Sequence, residues 1–89
     1  MKNLIIRQDS VTHEAMAACL EYTLFSNRTE RNTESYGVRV ENKLTGEKAA
    51  IGDITENQTT SEKLFDLLLT GCVTPVSLKE VVEDFIVEN

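Results

Sequence analysis

The sequence predicts an α+β domain: an antiparallel β-meander followed by two C-terminal helices packed on one face of the sheet. Three observations predict it. Apolar and polar residues alternate at Leu20, Tyr22 and Leu24 and again at Tyr36, Val38 and Val40, the period of a strand with one buried face. Two later stretches change to helical spacing, Leu64 to Leu69 and Leu78 to Ile86. Turn-forming residues separate all of these, at 27–35, at Lys43 to Gly46 and at Gly71 to Pro75. The meander is expected to hold two to three strands, with a short extra strand at the N-terminus as an option.

Residues 1–18 carry the weakest pattern and are expected to be partly disordered. Leu4, Ile5 and Ile6 suit a short strand, and Ser10 to Ala18 suit a turn or two of helix after an Asp9/Ser10 cap. The first clear strand runs over about 19–27. A wholly polar loop, NRTERNTES, follows, and the next strand begins at Tyr36 with the cleanest alternation in the chain.

The turn into the third strand, about 47–54, can be placed by charge. A four-residue loop over 43–46 sets Val40 opposite Ala49, Val38 opposite Ile51 and Glu41 opposite Lys48, an attractive cross-strand pair. A two-residue Thr45-Gly46 turn would set Lys43 against Lys48, so the longer loop is expected. Thr23, Arg39, Glu41, Lys48 and Ala50 then populate the sheet face away from the helices.

Thr59 to Glu62 reads as a capping box, with Thr59 at the N-cap and Glu62 at N3. Gly71 is expected to close this helix in the left-handed conformation, with Cys72 packing back on Leu67. Thr74 and Pro75 read as N-cap and N1 of the last helix, 75–87. Its apolar stripe is Leu78, Val81, Val82, Phe85 and Ile86, and Lys79, Glu80, Glu83, Asp84 and Glu88 occupy the rest.

The chain has 89 residues, read as a single domain over 1–89, enough to bury somewhat over ~60% of its unfolded surface. Fifteen acidic against nine basic side chains give a net charge of −6, which repels phosphate backbones and anionic membranes. The basic residues are dispersed and form no patch. No apolar run matches a signal peptide or a membrane span. Cys19 and Cys72 are too few for a disulfide framework, so a cytoplasmic protein with two reduced thiols is expected.

The segment Val76 to Val82 shares its cap, proline and apolar spacing with the opening helix of helix-turn-helix repressors. If 60–70 were the supporting helix and 75–87 the recognition helix, the exposed side would present Glu80, Glu83, Asp84 and Glu88 against Lys79 alone. Such a face repels phosphates and offers base edges almost no donors. His13 and Cys19 make the one conceivable nucleophile pair, but no glycine-rich anion site or oxyanion motif accompanies them. No metal-ligand spacing occurs. The expectation is therefore no enzyme, no cofactor, no nucleic acid and no membrane.

The string Tyr36-Gly37-Val38-x-Val40, the later Gly52-Asp53-Ile54 and the ending Val73-Thr74-Pro75-Val76-Ser77-Leu78-Lys79-Glu80-Val81-Val82-Glu83-Asp84-Phe85 resemble a family of small clostridial and Firmicutes proteins known as a domain of unknown function. The resemblance spans about 20–87, and 1–18 depart from it. It implies a bacterial, cytoplasmic α+β domain and brings no activity, ligand or site residue.

The function expected from the residues is that of a non-catalytic interaction or regulatory module, acting on a protein partner or as a homodimer. Its candidate interaction face is Lys79, Glu80, Glu83 and Asp84. The alternative is a regulatory domain that binds a small molecule between sheet and helices.

Overall fold

A computed structural model describes residues 4–13 and 18–88, in the order β1 (Leu4–His13), β2 (Ala18–Arg28), β3 (Glu34–Asn42), β4 (Lys48–Thr55), α1 (Gln58–Thr70) and α2 (Leu78–Glu88). The strands form one antiparallel sheet in sequence order. The expected meander is therefore four strands, and the N-terminal one is full length. Ser10 to His13 continue β1 and pair with Ala18 to Glu21, where a helical turn was expected. Val11 lies opposite the fully buried Leu20 and packs against the core, so tertiary pairing overrides local helix propensity here. The expectations for residues 1–3 and 14–17 lie outside the described residues.

Alternation puts one apolar row after another on the helix side. Tyr22 sits opposite Val40, which sits opposite Ala49, and Leu24 opposite Val38 opposite Ile51. Leu20, Tyr22, Leu24, Val38 and Val40 are fully buried beneath Leu64, Phe65 and Leu68 of α1 and Leu78 and Val82 of α2. Each such side chain contributes on the order of 2 kcal/mol by leaving water. α1 lies across all four strands, whereas α2 packs along β4.

The β3–β4 loop has the four-residue form read from the charges. Gly46 N–H donates to the Asn42 carbonyl at 2.8 Å with φ at 80°, and Glu41 pairs with Lys48. A bulge interrupts each of the two outer ladders, while β2–β3 is regular. In β1, Ile5 lies opposite Phe25 and Arg7 opposite Leu24, so Ile6 is an extra residue. In β4, Val38 faces Ile51 while Tyr36 faces Thr55, and the intervening residues swell around Asp53, whose φ is 52°. Gly37 makes that swelling fit: a Cβ there would lie 2.5 Å from the Ile51 carbonyl oxygen and 2.7 Å from the Phe25 ring.

The helix ends differ from the expected ones. Asn57, not Thr59, caps α1, its Oδ1 accepting from Thr60 N–H at 2.9 Å. A short amide two residues earlier captures the first turn, and Glu62 accepts from Gln58 at 3.2 Å instead of closing a capping box. At the other end Gly71 stays right-handed and Cys72 takes the left-handed position, φ 49°. Val73 N–H reaches the Leu68 carbonyl at 3.2 Å and Cys72 N–H that of Leu69 at 3.3 Å, a Schellman closure displaced by one residue. Buried Val73 then supplies the apolar contact, and Leu67 is exposed. The last helix begins later than expected. Thr74 to Ser77 form a turn, with Ser77 N–H bonded to Thr74 O at 3.1 Å, and regular helix starts at Leu78, where Val81 N–H donates to Ser77 O.

Candidate interaction site

The sheet has two edges, and the fold treats them differently. Along β1 the bulge at Ile6 brings Arg7 onto the helix side, opposite Leu24. Its guanidinium lies 4.7 Å from the Phe65 ring centroid and donates to Asp66 at 3.0 Å, with Glu62 at 3.9 Å. α1 is thereby tied to the edge strand.

The β4 edge is built differently. A groove of about 350 Å³ runs between Ala49, Ala50 and Ile51 on one wall and Pro75, Lys79, Val82, Glu83 and Ile86 on the other. Three sequence choices open it. Ala49, on the helix side, is too small to reach α2, the turn at Thr74 to Ser77 holds the chain off before the helix begins, and Ile86 stands half exposed at the lip. Ile86 was expected in the core stripe; the stripe rotates off the sheet after Val82, so only Leu78 and Val82 are fully buried and Phe85 partly so.

The strand edge beside the groove is unpaired. Asn42 N–H donates to the Glu47 carbonyl at 2.8 Å, which makes this a hydrogen-bonded pair. By alternation Val40–Ala49 and Val38–Ile51 are also hydrogen-bonded pairs. Lys48 and Ala50 between them turn their N–H and C=O groups outward. The regular run ends at the bulge around Asp53.

Of the expected interaction face, Lys79 and Glu83 line the groove, while Glu80 and Asp84 are exposed elsewhere on α2. The groove's apolar walls were missed in the sequence reading. Their sequence signal was Ala49, a small residue at a helix-facing position where a strand normally carries a large one.

Several polar groups elsewhere pair with one another. On the open sheet face Arg39 pairs with Glu41 at 3.0 Å, and Lys43 meets Glu21 and Glu41 at 3.4 Å each. Glu21, then Glu41, hold Lys43 protonated above its usual range. A wide polar cleft between the β2–β3 turn and the end of β4 holds the Arg31–Glu56 pair at 2.8 Å. Tyr22 donates from the core to the Val73 carbonyl at 2.9 Å. Burial, and secondarily Cys72, push its phenol up to about 12.

For the candidate nucleophile, Cys19 lies opposite Thr12 and His13 opposite Ala18, so the two are not cross-strand partners. Thr12 Oγ1 approaches the Cys19 sulfur at 3.9 Å. Both cysteines are free. Among the described residues no group of three or more His, Cys, Asp or Glu could hold a metal. No helix of the described residues is long and apolar enough to cross a membrane.

A family model for a family of unknown function, DUF6514, matches residues 1–88. The chain belongs to the DUF6514 family. The match takes in β1 and the N-terminal residues, which the resemblance over 20–87 left out. No curated protein and no solved structure matches this DUF6514 chain.

Proposed function

We propose that this domain is a non-catalytic interaction module that engages a polypeptide through the β4 edge and the groove against α2. One observation carries the reading: an unpaired strand edge at Lys48 and Ala50 lies directly beside an apolar trough rimmed by Ile86. Unpaired strand edges recruit further strands, main chain giving affinity and side-chain pockets giving choice. The trough's lining offers Lys79 and Glu83 as its charged groups, on one helix and exposed to solvent, which suits recognition better than turnover.

The residue resemblance and the two free thiols support placing the protein in the cytoplasm of clostridia or related Firmicutes. The net charge of −6 favours a protein partner over nucleic acid or an anionic membrane.

Affinity purification of the tagged protein from the cells that naturally make it is the test. The expected result is a stoichiometric complex, with another protein or with a second copy, that Ile86→Asp dissolves. Recovery of the protein alone, as a monomer, would overturn the reading. The second reading, a regulatory small-molecule site, draws on the groove's volume of about 350 Å³, at the low end of ligand clefts. A metabolite that raises the unfolding temperature of the native chain by several degrees, and not that of Ile86→Asp, would favour it.

A further inference from the structure

The geometry points to a second copy of this chain as the occupant, paired β4 to β4 about a two-fold axis at Ala50; this inference rests on the reading that the β4 edge and groove form the contact surface. The groove has a direction. Phe85 and Ile86 also border Ile54 and Thr55, so α2 runs with its C-terminal end toward the C-terminal end of β4. Lys79 therefore lies toward one end of the groove and Glu83 toward the other, and along the strand itself Lys48 opens the free edge and Asp53 follows it.

An antiparallel two-fold arrangement sets the basic end of one copy on the acidic end of the next, twice. It is the relation under which a surface of opposed charges complements itself. A parallel addition of the same strand would stack like on like. Register follows from the length of the free edge. The regular run between the 43–46 loop and the bulge is Lys48 to Ile51, and the outward-facing residue nearest its middle is Ala50, whose N–H and C=O are unpaired at the edge. Ala50 then pairs with Ala50 of the second copy, and Lys48 with its Gly52, beside Asp53. Ala49 meets Ile51 on the helix side.

The exposed apolar rim is consistent with this closure. Ile86, which lines the groove, lies half exposed, and Val76, next to the lining residue Pro75, largely so. With both helix layers on the same face, the two α2 helices come side by side and cover the trough from above. The result is a continuous eight-stranded sheet whose outer edges are the two β1 strands.

Light scattering on the full chain is expected to give twice the 10.0 kDa chain mass. Ile86→Asp and Ala50→Pro are each expected to weaken association roughly tenfold or more. Ile86→Asp alters a half-exposed side chain, so it serves if Ala50→Pro does not fold. Glu83→Lys is expected to weaken the dimer, and adding Lys79→Glu to restore it, a rescue that only a self-complementary contact produces. A chain that stays monomeric at millimolar concentration overturns the inference. So does a dimer that Ile86→Asp leaves undiminished, since the contact would then lie elsewhere, as at β1. A monomer that recovers a stoichiometric foreign protein sinks this inference alone and leaves the interaction module standing; a monomer with no partner sinks both.

Discussion

The two edges of the sheet show the same problem met by different means. At β1 a one-residue bulge delivers Arg7 across the edge to α1, where it stacks on Phe65 and pairs with Asp66. At β4 a larger bulge around Asp53 shortens the regular edge, and α2 stands off behind the small Ala49. One side is fastened within the chain. The other leaves backbone groups of β4 unpaired and apolar side chains such as Ile86 half exposed, although Leu78 and Val82 of α2 remain in the core.

Substitutions can break this contrast. The largest effect is expected on the fastened side: Phe65→Ala removes a fully buried ring beneath Arg7 and should cost about 3–5 kcal/mol in chemical denaturation. Gly37→Ala comes next, at about 1–3 kcal/mol, because backbone at Ile51 and Gly52 blocks the new methyl. Its unfolding midpoint, and loss of protected β4 amides, would check it.

Tyr22→Phe should cost about 1–2 kcal/mol by orphaning the buried Val73 carbonyl. It also carries a pH signature. Folding raises the Tyr22 pKa from 10.0 to about 12, so its contribution is complete below pH 10, where both states are protonated. It is lost as pH climbs through 12, by on the order of 2 kcal/mol. The variant's stability should therefore fall less steeply between those limits.

Arg7→Ala is a smaller perturbation, about 1 kcal/mol, since its ring contact and ion pairs are part-exposed. Ile86→Ala should change monomer stability by less than about 0.5 kcal/mol. If Ile86→Ala instead costs as much as Phe65→Ala, α2 is fastened after all and the contrast between the edges is lost.

Much of the sheet was legible from residues alone. Alternation at Tyr22, Leu24, Val38 and Val40 sets the buried face, and the repulsion of Lys43 by Lys48 selects the four-residue loop. The helix ends were not, because several residues there satisfy the same rule: Asn57 and Thr59 can each cap, and Gly71 and Cys72 each precede Val73. Spacing alone does not decide between neighbours when a contact such as Val73 in the core fixes the outcome. β1 was obscured by its bulge, since an extra residue interrupts the period of two on which the reading depends. The charged face of α2 was visible; the groove depends on Ala49 leaving space, and space has no letter in a sequence.

The bulge at Ile6 also constrains how this strand can change in length. Ile6 packs on the core and Arg7 on Phe65, two consecutive residues serving one layer. A single-residue deletion at this point would restore regular alternation and leave one of those two duties unfilled. Between the bulge and the hairpin, gains and losses of one residue would invert every following side chain, so tolerated changes there must come in pairs. Residues N-terminal to Ile6 carry no such parity, which makes the start of β1 the place where relatives can differ in length at least cost.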